Sequence, residues 1–225
     1  MRMRREKHLD ERINECKHLL ININYNDMNL NVAVNETQSF NCEEVFGNNN
    51  PVELEIGCGK GQFITEIAKL HPEINFIAIE RTKNVIVEAM EKTKEIGLTN
   101  VRFINCPAEY LQNYFNEFSI SRIYLNFSPP FPKNRYAKHR LTHENYLKMY
   151  KKILKPCAEI HMKTDNAKLF EFTINSMSGF GFTLKNVTFD LHKSDFVGNI
   201  VTEYEKRFSD LGYPIYRLEG FLNNN

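Results

Sequence analysis

From residue 52 onward, short apolar runs alternate with longer stretches whose apolar positions recur every three or four residues. The first pattern fits buried strands, and the second fits helices that cover them. Segments 52–56, 74–79, 101–105, 123–127 and 159–163 read as five strands. Phe63, Ile64, Ile67 and Ala68 mark one helix between them. Val85, Ile86, Ala89, Met90, Thr93 and Ile96 mark a second, with Gly97 as its C-terminal cap. A short helix is expected through Leu111, Tyr114, Phe115 and Phe118. A longer one runs through Leu147, Tyr150, Ile153 and Leu154 and stops before Pro156. Another carries Phe170, Ile174 and Met177 and is closed by Gly179. Two late extended stretches, 183–191 and 215–218, complete the series. This alternation predicts an α/β fold with a mostly parallel sheet and helices on both faces. The apolar stripes of the helices are read as core.

The first fifty residues follow a different pattern. Residues 9–20 read as a short helix, and 21–50 are Asn-rich with weak periodicity. Gly47-Asn48-Asn49-Asn50-Pro51 reads as a turn before the core begins. The expected division is a basic N-terminal arm and lead-in, 1–50, followed by one core domain, 51–225.

Composition narrows the class. At 225 residues and 42% hydrophobic content, the chain can bury a core as one domain. No apolar run is long enough to span a membrane, and the charged start does not read as a signal peptide. The five cysteines are scattered without C-x-x-C spacing, which argues against a disulfide framework or zinc site and fits a reducing cytoplasm. His139 and His143 lack metal-ligand spacing with another His or Cys, so no metal site is expected. Net charge is only +1, yet the basic residues are clustered. Arg2, Arg4, Arg5, Lys7 and His8 form one group, and Lys133, Arg135, Lys138, His139 and Arg140 a second. Lys148, Lys151, Lys152 and Lys155 form a third, which also fits a solvated helix face. Three such groups on a near-neutral chain suggest a polyanion footprint.

Candidate chemistry is concentrated where the first strand runs into Gly57-Cys58-Gly59-Lys60-Gly61. Glycines there allow a sharp bend and let a ligand lie against bare amides at a helix N-terminus. A tight turn without a ligand would look the same in isolation. The next strand ends in Glu80, about twenty residues on, where an acid grips ribose hydroxyls. The dinucleotide fingerprint needs glycine at position 62, and Gln62 stands there instead. Glu55, two residues before the first glycine, would repel a pyrophosphate and attract sulfonium and ammonium groups. S-adenosylmethionine is therefore favoured over NAD. Ligands of open α/β sheets lie beyond the carboxyl ends of the strands. That rule assigns Glu55, Glu80, Cys106-Pro107-Ala108, the 126–131 stretch and Lys163-Thr164-Asp165 to one rim.

At Asn126-Phe127-Ser128-Pro129-Pro130-Phe131-Pro132-Lys133-Asn134-Arg135 the chain resembles the bacterial tRNA (guanine-N7)-methyltransferase family. The resemblance continues through Lys138-His139-Arg140-Leu141-Thr142, Lys163-Thr164-Asp165-Asn166 and the 198–205 stretch. It also includes Met1-Arg2-Met3-Arg4 and Gly212-Tyr213-Pro214-Ile215-Tyr216-Arg217. It implies a class I methyltransferase fold with a Rossmann-like sheet, S-adenosylmethionine as donor and the variable-loop guanosine of tRNA as acceptor. It places Glu55, Gly57, Gly59, Glu80, Pro107 and Ala108 at the cofactor. It places Lys133, Asp165, Thr202, Glu203, Tyr204 and Glu205 at the substrate guanosine. It assigns Arg135, Tyr136, Ala137, Lys138, His139 and Arg140 to RNA contact. The implied partner is tRNA, with no membrane, for a chain acting as a monomer or homodimer.

Two positions depart from the family pattern. Relatives carry Asp-Pro-Trp where this chain has Pro129-Pro130-Phe131, so the family's proposed catalytic Asp is Pro129. An Asp is also usual where Pro107 stands, and Glu109 is the nearby candidate to compensate. Guanine N7 has a free lone pair and no proton to lose, so its attack needs alignment more than a base. Asp165 and Glu205 are expected to hold the guanine edge. Two other readings stay open. Ser128-Pro129-Pro130-Phe131 resembles the motif of methyltransferases acting on exocyclic amines, where an aromatic ring stacks on a flipped base. A tRNA-binding protein that kept the fold and lost turnover would also carry these motifs.

Overall fold

The computed structural model describes residues 8–23 and 39–223. The arginines at positions 2, 4 and 5, the opening Met-Arg-Met-Arg motif and much of the Asn-rich lead-in lie outside the described residues. The strands belong to a seven-stranded, mostly parallel sheet. The chain forms two compact units, residues 1–114 and 115–225.

The first unit carries strands β1 (Val52–Ile56), β2 (Asn75–Ile79) and β3 (Val101–Ile104), in the order β3-β2-β1 and all parallel. Every residue of β1 and β2 is buried, as expected of parallel strands covered on both faces. The helices of this unit are α1 (Leu9–Glu15), α2 (Cys42–Phe46), α3 (Gln62–Leu70) and α4 (Lys83–Ile96). Gly97 ends α4 in the left-handed conformation, as its sequence predicts. The lead-in is anchored. Arg12 on α1 makes a two-pronged bond to Glu91 on α4 at 2.7 and 2.6 Å. Leu20 bridges to Phe103, and Leu9, Cys16 and Leu19 are buried. The register aligns Ile56 with Ile79 and Ile79 with Ile104, so the residues that follow each strand leave the sheet along one edge.

The second unit carries β4 (Ile120–Asn126), β5 (Leu154–Thr164), β6 (Phe182–Thr188) and β7 (Tyr216–Leu222) in the order β4-β5-β7-β6. β4 and β5 are parallel, and β7 runs antiparallel to both its neighbours. Helices α5 (Glu144–Ile153), α6 (Ala167–Phe180) and α7 (Glu203–Asp210) complete it. Asn126 pairs with Lys163, and Thr164 pairs with Tyr216. The loops after β4 and β5 and the segment before β7 therefore share one edge.

Four local expectations are corrected. Helix α6 passes through Gly179 and is capped by Gly181, at φ 102°, whose N–H reaches the carbonyls of Met177 and Ser178. Both glycines suit a cap, but closing the helix at Gly181 brings Phe180 against Phe182. The helix expected through Leu111 to Phe118 is a 3₁₀ turn over Ala108–Asn113, and Phe118 sits at φ 54°. β5 begins at Leu154, directly after α5, and tolerates Pro156 through an irregular register against β4. Helices α2 and α7 had no counterpart in the periodicity.

Candidate functional site

In the first unit, the turn after β1 is held from β2. The N–H groups of Gly57 and Cys58 both donate to the Ile79 carbonyl, at 2.8 and 3.0 Å. These two amides are therefore not the bare donors expected from the sequence. Gly57 and Gly59 have positive φ, and a Cβ on either would meet no atom within 4 Å, so the chain leaves room above both. Gly61 differs. It caps the start of α3 at φ 78°, and a Cβ there would lie 2.6 Å from the Ala89 Cβ on α4. The third glycine thus serves helix packing, while the first two border open space.

Two carboxylates stand at this edge. Glu55 is buried near the end of β1. Glu80 follows β2, where its backbone N–H reaches the Ile104 carbonyl and one carboxylate oxygen accepts from Thr82 N–H at 2.9 Å. Asn105 fixes the Glu80 carbonyl at 2.7 Å. Burial pushes the Cys58 thiol well above its ordinary range, and the charges of Glu55 and Glu80 push it further. Both acids therefore act on the same point inside the turn. Pro107 and Ala108 open the 3₁₀ turn after β3, partly exposed on the same edge. Burial, reinforced by Glu109, raises the Cys106 thiol to about 12. Neither thiol is a nucleophile near neutral pH.

In the second unit, the loop after β4 is strained and clamped. Phe127 and Phe131 adopt φ 52° and 42°, unusual for bulky side chains. Phe127 N–H donates to the Lys163 carbonyl at 2.8 Å. Arg140 donates through Nε to the Pro130 carbonyl and through Nη2 to the Phe131 carbonyl, each at 3.0 Å. Its guanidinium also lies 4.4 Å from the Phe172 ring centre. Arg140, assigned to RNA from the sequence, is thus turned onto the protein. Pro129 is exposed and Ser128 buried. Lys133, Arg135, Tyr136 and Lys138 are exposed, whereas Ala137 and His139 are half-buried on the 3₁₀ turn Asn134–His139. Arg135 stacks on Tyr136 at 4.8 Å, and His139 lies between Phe131 and Tyr136.

The 202–205 segment begins α7. Thr202 is its N-cap, and its hydroxyl accepts from Glu205 N–H at 3.1 Å. Glu205 is wholly buried. One of its oxygens accepts from Lys163 Nζ at 2.6 Å. The other meets Asn199 Nδ2 at 2.6 Å and His192 Nε2 at 3.1 Å. Lys163 also donates to Asn199 Oδ1 and the Ile200 carbonyl. Glu205, expected at the guanine edge, is therefore committed to the protein interior. Asp165, after β5, is partly exposed, with the Tyr204 hydroxyl 3.5 Å away. Glu203 and Tyr204 are exposed. Sequence reasoning missed Lys163, Asn199 and His192 as partners. The Thr-x-x-Glu spacing of a capping box was the available signal for α7.

Away from both edges, Glu159, His161 and Glu219 gather on β5 and β7 with a spacing that could hold a cation. Arg122 and Lys185 face Glu159, and Arg217 and Lys185 face Glu219. Those three cations compensate the two carboxylates.

The chain matches a family model described as "Putative methyltransferase" over residues 49–218. It is 49% identical over 193 residues to a tRNA (guanine-N(7)-)-methyltransferase of Bacillus velezensis, covering 85% of this chain and 89% of the relative. It is 52% identical to the enzyme of that name from Geobacillus thermodenitrificans, covering 78% and 82% of the two chains. The chain belongs to the tRNA (guanine-N7)-methyltransferase family. A third relative of that name, from Macrococcus caseolyticus, is 54% identical, covering 75% of this chain and 80% of its own. Solved structures extend the likeness of fold. The 16S rRNA methyltransferase KamB superposes with a TM-score of 0.63 at 14% identity, covering 85% of this chain and 98% of its own. The precorrin-6y C5,15-methyltransferase of Geobacter metallireducens superposes at 0.55 and 14% identity, covering 77% and 82%. The fold is thus that of class I methyltransferases, as the sequence predicts.

Proposed function

We propose that this chain transfers the methyl group of S-adenosylmethionine to N7 of the variable-loop guanosine of tRNA. The observation that carries the reading is 49–54% identity to enzymes named for that reaction, over most of both chains. The catalytic region is 51–225, and the enzyme works in the cytoplasm. No described helix is long and apolar enough to cross a membrane.

The first unit suits the donor. S-adenosylmethionine supplies an electrophilic methyl carbon on a sulfonium centre. The open space above Gly57 and Gly59, beside two carboxylates, fits a ligand that is cationic at one end and carries a ribose diol. Glu55 would face its cationic groups, Glu80 its hydroxyls, and Pro107 and Ala108 its adenine.

The second unit suits the acceptor. Asp165 would accept from the N–H groups of the guanine edge, and Lys133 would donate to the guanosine's acceptor atoms. Glu203 and Tyr204 face solvent in the first turn of α7 and would complete the contact. Thr202 and Glu205 act by fixing that turn. Arg135, Tyr136 and Lys138 meet the RNA around the target, while Ala137, His139 and Arg140 shape the loop. N7 gives up no proton, so the chain's task is to orient it, and orientation supplies about 7–11 kcal/mol of barrier reduction. Pro129 therefore leaves the reaction possible without the family's Asp.

Transfer to unmodified tRNA and to tRNA lacking the variable-loop guanosine tests the reading. Methylation of the first alone is expected. Equal methylation of both would overturn the assignment.

A further inference from the structure

Helix α7 carries a second feature, separate from its buried Glu205. Tyr204 stacks on Phe208 with ring centres 4.5 Å apart and planes 28° apart. Phe208 meets Tyr213 edge-on at 5.7 Å, and Tyr204 meets Phe127 at 5.0 Å. Four rings thus run outward from the strained loop after β4. The run is not hidden: Tyr204 is 45% and Tyr213 54% exposed. Val201 and Leu211 beside it are also exposed. Arg207 lies 5.9 Å from the Phe208 ring and makes no ion pair among the described residues. Lys206, by contrast, is paired with Asp210 along the helix.

An exposed apolar stretch of this kind marks an interaction surface. Its chemistry and its place in the fold select the partner. Aromatic faces at the protein surface, with an arginine laid against one of them, stack on nucleobases and bind without reading their edges. Protein interfaces are rich in the same side chains, so position decides between the two. Here the run starts at the loop already assigned to the target nucleoside. Resting on the tRNA-methyltransferase reading, we propose that Tyr204, Phe208 and Tyr213, with Arg207, form a stacking platform for an unpaired base of the substrate RNA. Tyr213 is its outer end. Phe208 and Tyr213 bind RNA and take no part in the transfer itself, while Tyr204 joins them to the guanosine contact.

The chain contains no tryptophan, which makes the test direct. A Tyr213→Trp variant carries a single indole at the outer end of the run. Its emission is expected to be quenched as unmodified tRNA is titrated in. Tyr213→Ala is expected to weaken tRNA binding about five- to hundredfold, the effect of losing one stacked base. Tyr213→Phe should restore it, and turnover at saturating tRNA should change less than affinity. Unchanged indole emission, with alanine and wild-type chains binding tRNA equally, would overturn the platform while leaving the methyltransferase reading intact. A change in self-association without a change in RNA affinity would also overturn it, in favour of a second copy of this chain. A wild-type chain that binds no tRNA would remove both readings.

Discussion

Lys163 and Glu205 form a buried ion pair, with Nζ 2.6 Å from Oε2 and Glu205 wholly out of solvent. The pair joins β5 to the first turn of α7, and Asn199, Ile200 and His192 satisfy its remaining atoms. Removing one partner of such a pair strands the other charge and costs about 3–5 kcal/mol. Glu205→Ala is thus expected to lower the thermal midpoint by about 6–20 °C, at about 2–4 °C per kcal/mol for a chain of this size. Lys163→Met combined with Glu205→Leu should recover part of that loss while leaving transfer impaired. Calorimetry and initial rates on the same samples check this. A stable, poorly active Glu205→Ala would instead place Glu205 on the substrate.

Arg140 holds the Pro130 and Phe131 carbonyls, so its loss frees a loop with two phenylalanines at positive φ. Arg140→Ala is expected to lower kcat by about ten- to hundredfold, since small misplacements of a reacting group have effects of that size. Its tRNA affinity should change less than that of Arg135→Ala or Lys138→Ala, whose side chains face solvent. Binding titrations set beside single-turnover rates separate the two effects.

The phosphate role of the exposed cations has its own signature. The logarithm of tRNA affinity should fall linearly with the logarithm of salt concentration, and Lys138→Ala should reduce that slope by about one. An unchanged slope would free Lys138 from phosphate contact.

Acid stability follows from His161. Burial holds this imidazole down at about 4, against the support of Glu159, with Arg122 also lowering it. Glu219 and Arg217 face it as well, and Tyr124 packs edge-on. A folded value below the unfolded one means that the unfolded chain takes up the proton first. Stability is then fully present above about pH 6.5 and falls as the pH drops toward 4, by at most about 1.4 kcal/mol per pH unit. Glu159 and Glu219 are also held low in the fold. Burial opposes this, and the bonds from Lys185 and His161 to Glu159 and from Arg217 to Glu219 overcome it, so both act in the same direction at the acid end. His161→Gln should flatten the thermal midpoint between pH 6.5 and 5, measured by melting across a buffer series.

What could be read from the chain depended on how local each interaction is. The glycine turn, β1, β2, α3 and α4 were legible because a strand or helix period, punctuated by glycines, lies wholly within each segment. Gly61 shows where that ends. It looked like part of a cofactor signature, but its contact is Ala89, twenty-eight positions away. Apart from its capping box, helix α7 was not legible because its inward residue is a glutamate and two of the rings lie on its other residues. Neither gives an apolar stripe. The Lys163–Glu205 pair left no trace in spacing, since its members are 42 residues apart and sit on different elements. The open-sheet rule reached Asp165 and the basic cluster reached Lys133, but only family resemblance assigned either one to the guanosine.

Gly61→Ala tests that packing role. Its Cβ would enter the Ala89 side chain at a left-handed backbone position, so a loss of about 1–3 kcal/mol is expected. Gly59→Ala meets no neighbour, so its stability loss is confined to the left-handed strain of about 1–2 kcal/mol, and it should weaken cofactor binding as well. Melting curves with and without S-adenosylmethionine distinguish the two.

The most direct single measurement is transfer of labelled methyl from S-adenosylmethionine to unmodified tRNA by the wild-type chain, followed by digestion and identification of the labelled nucleoside. N7-methylguanosine is the predicted product, formed despite Pro129, with Pro129→Asp raising the single-turnover rate if the missing carboxylate limits it. Label in an exocyclic N-methyl nucleoside, or no label while tRNA and cofactor both bind, would contradict it.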